Sequence, residues 1–160
     1  MKKKRIIVRL GDIFKITLED GEHCYCIKLA ELMAFFDYKS TIPISKEEIL
    51  NKKIIFIVGV DSDAVKIGGW EKVGNDKEFA KSIEVPNYFI WDSNAKKFEI
   101  YLTKTGEIKS STYKEIKNLE RVAAWANNHI EDRLRDHFSG QKCIWLEEDE
   151  NIKRMNTGVR

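Results

Sequence analysis

Proline is nearly missing from this 160-residue chain, with two residues, and cysteine and histidine stop at three each. Two prolines and no run rich in serine or glycine leave no obvious linker, so the chain reads as one domain over residues 1–160. Three cysteines are a poor disulfide framework because one is always left over. No apolar run nears the roughly 20 residues of a membrane helix. The opening Lys2-Lys3-Lys4-Arg5 and Ile6-Ile7-Val8 resemble the start of a signal peptide, but Arg9 and Gly11-Asp12 cut the apolar stretch short. A cytoplasmic location is the expectation. A one-signed charge block is lacking too: each half carries 14 basic and 13 acidic residues, and the formal net charge is +2. Nucleic-acid binders draw much of their affinity from concentrated positive charge, so that class is disfavoured. The basic run reads as a solvated end.

What is present begins with strands. In Phe14-Lys15-Ile16-Thr17-Leu18-Glu19 apolar and polar residues alternate, and Asp20-Gly21 supplies a tight turn. The return strand puts Tyr25, Ile27 and Leu29 on one face and Cys24, Cys26 and Lys28 on the other, with half-buried thiols. Residues 32–38 read as a further strand or a bend. Ser45 three residues before Glu48 is a capping-box spacing and predicts a short helical turn. Ile54–Val60 is β-branched and continuously apolar, as in a strand buried on both faces. Gly68-Gly69-Trp70 and Val73-Gly74 read as a short strand or turn. Residues 86–91 and 97–102 form a second hairpin around Asp92–Ala95, and Thr105-Gly106 begins another turn.

Helix begins at about Thr112, which stands three residues before Glu115. Residues 112–138 could form one helix with Ile116, Leu119, Ala123, Ala126, Ile130 and Leu134 as its stripe. Asn127-Asn128 favours a break near Trp125–Asn127, since asparagine prefers caps to helix interiors. Gly140 then stops the second helix. Residues 143–146 suggest a last strand, and 147–160 a polar tail. The expected fold is α+β and mostly β: a strongly bent antiparallel sheet or small barrel, with a C-terminal helix or helix pair.

Catalytic chemistry has little to stand on. His129 and His137 are eight residues apart, about 12 Å of helical rise, too far to share a metal ion. Residue 133, on the face of His129, is an arginine and cannot ligate. Cys24 and Cys26 lack the spacing of a zinc knuckle. No nucleophile elbow, H-E-x-x-H pair or phosphate loop occurs. No catalytic residue, metal or cofactor is assigned. Aromatic residues such as Phe35, Trp70, Trp91, Trp125 and Trp145 are mostly core, and a few exposed ones would suit a protein interface.

Two separated motifs resemble the immunity protein 26 family, bacterial antidotes encoded beside polymorphic toxins. One is Gly11-Asp12-Ile13-Phe14 through Asp20-Gly21 and Tyr25. The other is Leu119-Glu120-Arg121, Ala123, Trp125 and His129–Leu134. Between them Lys66, Gly68, Trp70, Val73-Gly74 and Pro86 fall in order, so the resemblance covers about residues 10–140. Similar sequences often place a serine or aspartate and then proline after the tryptophan. Ala126-Asn127 stands there instead, which shifts the expected cap to Asn127 or Asn128. Cys26 replaces a glycine that often follows the tyrosine.

The resemblance implies a mostly β protein that binds and neutralises a cognate toxin domain, and it supplies no catalytic residues. Glu120, Arg121, Trp125 and His129 are then candidates either for toxin contact or for an internal network pinning helix to sheet, the latter ranking first. Asp61, Asp63, Glu147, Glu148 and Asp149 are alternative toxin-facing residues, suited to a basic partner. Some members carry a phosphotriesterase label, so a phosphotriester hydrolase is the rival class. A small β-barrel binding a ligand or nucleic acid is a third.

Overall fold

In the computed structural model, which describes residues 6–157, the Asp20-Gly21 turn joins β1 (Asp12–Thr17) to β2 (His23–Lys28). Gly21 sits at φ +81°, where a side chain would be strained. Phe14 stands opposite Cys26 and Ile16 opposite Cys24. Phe14, Ile16, Cys24 and Cys26 enter one core, while Ile13, Tyr25 and Ile27 enter a second on the opposite face. The sheet is therefore covered on both sides here. Cys24 and Cys26 are wholly rather than half buried. Burial pushes the Cys24 thiol up to about 12, so it is protonated at neutral pH. The basic run Lys2–Arg5 lies outside the described residues.

Strands β3 (Met33–Phe36) and β4 (Ile54–Val60) continue the antiparallel sheet, and β5 (Glu71–Asn75) adds to the outer edge of β1. Between β3 and β4, α1 (Lys46–Leu50) starts with the full capping box of Ser45 and Glu48. The stretch after β4 is more helical than its glycines suggest. Both α2 (Ala64–Gly68) and α3 (Lys77–Ser82) flank β5 as short helices.

The second hairpin forms as expected from β6 (Tyr88–Asp92) and β7 (Lys97–Leu102), and β8 (Glu107–Ser111) makes it a three-stranded sheet. Thr112 precedes α4 (Tyr113–Ile116), a single turn. Its hydroxyl bonds the Glu115 carboxylate and caps no backbone amide. The long helix does not form. The chain instead enters β9 (Ala124–Trp125), a short strand, before α5 (Asn127–Ser139). The helix cap is Ala126, with no side-chain hydrogen bond, and not Asn127 or Asn128.

The C-terminal stretch departs most from expectation. Ile144–Leu146 is a 3₁₀ turn instead of a strand, and the polar segment folds as α6 (Glu147–Met155). Four acids in its first turn and Lys153 and Arg154 in its last match the helix dipole. Lys153 is buried, donating to the Lys117 carbonyl at 3.1 Å with its ammonium 5.1 Å from the Phe89 ring centroid.

The larger sheet has the order β5-β1-β2-β3-β4-β9. Its two edges, β5 and β9, do not meet, so the described residues form an open sheet and not a closed barrel. β9 runs parallel to the end of β4; the other neighbours are antiparallel. Residues 120–125 sew the two sheets together. The Phe89 amide donates to Glu120 and the Val122 amide to Phe89, while the Asp61 amide donates to Trp125, each at 2.9 Å. Gly59 permits this approach: a Cβ there would lie 2.8 Å from the Ala123 carbonyl oxygen.

Candidate functional site

The break expected near Trp125–Asn127 is where β9 hands over to α5, and the candidate residues divide around it. Glu120 points inward and takes both Arg133 guanidinium nitrogens at 2.7 Å, a two-pronged pair of fixed geometry. Arg133 is only 8% exposed. Its guanidinium carbon lies 3.9 Å from the Phe56 ring centroid and 5.0 Å from that of Trp125. Trp125 is itself buried in the core. Glu120 and Trp125 thus face the interior with Arg133, an arginine flanked on α5 by the buried Ile130 and Leu134. An arginine set on an apolar stripe is a sequence signal for a buried carboxylate partner.

Arg121 and His129 face the other way. The Arg121 amide donates to Asp149 Oδ2 at 3.1 Å, while its side chain reaches Asp149 Oδ1 at 3.2 Å and Glu148 Oε2 at 3.0 Å. His129 stacks on Trp145 with ring centroids 3.6 Å apart. The Trp145 indole N–H donates to Asp132 Oδ2 at 2.9 Å. Arg121, Trp125, His129, Trp145, Glu148 and Asp149 line a cleft of about 290 Å³. Two groups of residues that are separate in sequence, around 121–129 and around 148–149, are brought together here. Glu147 is exposed on the neighbouring side of α6, beside Ile144. Asp61 and Asp63 are exposed between β4 and α2 and do not line this cleft.

Electrostatics separate the carboxylates. Burial pushes Asp149 above the usual aspartate range, against the pull of the Arg121 amide and guanidinium. The Trp145 indole bond, outweighing burial with help from Arg135, holds Asp132 below that range. Glu148 is lowered by Arg121. Burial raises Glu131, which accepts from the Trp70 indole at 3.3 Å.

The three histidines lie apart. His23 bonds the Thr17 hydroxyl, His129 stacks on Trp145, and His137 meets Asp37 at 3.0 Å. Among the described residues, no three His, Cys, Asp or Glu side chains come together as a metal-binding group.

The Gly11-Asp12 motif is explained by packing. Asp12 is fully buried and accepts from the Arg9 amide at 2.8 Å, Asn75 at 2.9 Å and Lys72 at 2.9 Å. Burial alone would raise its carboxyl, but these three donors outweigh it and leave Asp12 below the usual range. Gly11 has φ +86°, and a Cβ there would lie 2.7 Å from the Lys77 backbone nitrogen. The motif locks β1 to β5 and α3.

The described residues thus form a six-stranded open sheet sewn to a three-stranded one, with ion-paired segments around α5 and α6. The sequence matches the immunity protein 26 family over residues 9–100, and the chain belongs to that family. No curated protein and no solved structure gives a match. The matched span runs from before β1 into β7. It includes five of the six strands of the larger sheet but stops short of Leu119–Phe138 and of the cleft around Trp145. Trp145 and Arg133 join the site although the sequence named them only as an aromatic and as an arginine on the His129 face, not as site residues. Trp145 could be found only through its contacts, because nothing local distinguishes it from a core tryptophan.

Proposed function

We propose that this chain binds one toxin domain per molecule in the bacterial cytoplasm and neutralises it by occlusion. Membership of the immunity protein 26 family carries the reading. The contact surface we assign is the α5–α6 turn. Trp145 and Ile144 are 41% and 64% exposed there, and Glu147, Glu148 and Glu150 are exposed around them. Trp145 is held in place by its stack on His129 and its bond to Asp132, so little side-chain freedom is lost on binding. An anchored tryptophan among carboxylates suits a partner with an apolar notch and a basic rim.

The test is to purify the chain with the toxin domain encoded by the neighbouring gene. The expected result is a one-to-one complex that abolishes toxin activity, weakened about 10- to 100-fold by Trp145→Ala. Turnover of a phosphotriester by the purified protein, lost in a folded His129→Ala variant, would overturn the reading in favour of a hydrolase.

A further inference from the structure

Among the described residues, one edge of the larger sheet is paired over only part of its length. β9 pairs with β4 only at Gly59 and Val60, leaving Ile54–Ile57 without a neighbour on that side. The Asp61 amide faces β9, bonding the Trp125 carbonyl. Strand alternation then turns Ile57 the same way, and its carbonyl does accept there, from the Tyr88 hydroxyl. The pairing of β3 with β4 also shifts register at Phe35/Phe36, opposite Ile54–Phe56. Such bulges recur at sheet edges and beside functional sites.

What lies beyond this edge is space. A cleft of about 560 Å³ is bounded by Ile54–Ile57, by residues 84–88 and by residues 118–120. Proteins usually cover or blunt a free strand edge, because its amides and carbonyls template further pairing. Here residues 84–88 run nearby but add no strand; β6 begins at Tyr88 and pairs with β7 on one side. The Tyr88 hydroxyl serves the Ile57 carbonyl, marking one end of the slot. Its open length, Ile54–Ile57, is about 10 Å, room for a short extended segment.

We infer that this slot receives an extended segment of the toxin, which adds to β4 as a strand where β9 leaves off. The inference rests on the antidote reading and supplies it with a second contact, distinct from the Trp145 surface. Strand addition is the mode of recognition that a partly unpaired strand edge supports. Ile55, which has no partner in β3, and the Ile57 amide are the groups available there, since the Ile57 carbonyl is taken by Tyr88. The rim specifies the segment's chemistry. Glu84 is exposed, with no ion-pair partner among the described residues, whereas Glu120 is neutralised by Arg133. A segment carrying a basic side chain opposite Glu84 is the fitting occupant.

Amide hydrogen exchange of the full chain, with and without the toxin domain encoded by the neighbouring gene, tests this. Two variants on the exposed rim accompany it: Asn118→Trp to fill the slot and Glu84→Lys to reverse its charge. Expected are at least 10-fold slower exchange at Ile55 and Ile57 in the complex, at least 10-fold weaker binding by Asn118→Trp, and a smaller loss for Glu84→Lys. Toxin that binds both variants with unchanged affinity and leaves Ile55 and Ile57 without added protection would overturn the slot while the antidote reading stands. Protection that grows with the concentration of the chain alone would assign the slot to a second copy and overturn it equally. Wild-type chain that fails to bind the toxin domain at all would sink both readings together.

Discussion

The β1–β2 hairpin and the region from Leu119 to Met155 are held by different forces. In the hairpin, apolar side chains alternate onto two covered faces, and Cys24, Tyr25, Cys26 and Ile27 are each at most 1% exposed. Its polar anchor is one carboxylate, Asp12, served by three donors. In the later region Trp125, Ile130 and Leu134 join the apolar core, and the added ties are ion pairs: Glu120 to Arg133, and Arg121 to Glu148 and Asp149. Apolar burial depends on area and tolerates no vacancy, whereas ion pairs depend on both partners being present. The first kind of region builds a scaffold. The second can present a surface where charged groups remain near water, as Glu147, Glu148 and Glu150 do.

The contrast is broken most severely in β3, the strand that extends the hairpin's sheet. Phe35 is fully buried, stacked on Phe56 at 4.6 Å and set edge-on to Trp70 at 6.3 Å. Phe35→Ala is expected to cost about 4 kcal/mol in urea unfolding, since a cavity adds to the lost transfer free energy. Glu120→Ala is next, at about 2 kcal/mol, because it strands the Arg133 guanidinium in the core. The figure is below that of a fully buried pair because Glu120 is one-third exposed. Pairing it with Arg133→Met should recover most of the loss, a result pure charge attraction would not give.

A finer contrast appears with pH. Asp12 is lowered, so its contribution is present above the usual aspartate pKa and fades as pH falls through its depressed value. Asp149 is raised, so its contribution is present in acid and is lost as pH rises through its elevated value. Urea midpoints between pH 2 and 7 should therefore lose part of their acid decline in Asp12→Asn. In Asp149→Asn the loss on raising pH should shrink instead. The smallest effect belongs to Glu148→Gln, on an exposed carboxylate, which should leave the urea midpoint unchanged while slowing association with a basic toxin at low salt.

Much of this architecture is legible residue by residue. Alternation around Asp20-Gly21, the Ser45 capping box, the second hairpin and the stop at Gly140 all follow from periodicity and turn chemistry acting over a few residues. The break after Trp125 follows as well, from the poor fit of Asn127-Asn128 in a helix interior. The short helix α2 was hidden because Gly68 and Gly69 also suit a turn, and α3 because its six residues are too few to show a helical period. α6 was hidden for a related reason: nine mostly polar residues look like a tail until Asp149 and Lys153 are buried against Arg121 and the Lys117 carbonyl. Of the candidate residues, Arg121, Trp125 and His129 could be grouped from their spacing. Their partners Glu148, Asp149 and Trp145 could not, since between 16 and 28 residues separate each partner in a contact.

Local patterning thus suffices for the two hairpins, the Ser45 cap, the Gly140 stop and the α+β class, because those preferences are set by neighbours along the chain. Tertiary structure alone decided that the sheet stays open, that Glu120 turns inward while Arg121 turns outward, and that β4 keeps a free edge. Those outcomes depend on which distant groups can meet and on the strong cost of leaving a buried charge alone. The free edge of β4 has a still simpler cause: β9 ends after two residues, and nothing in Ile54–Ile57 itself records what does or does not lie beside it.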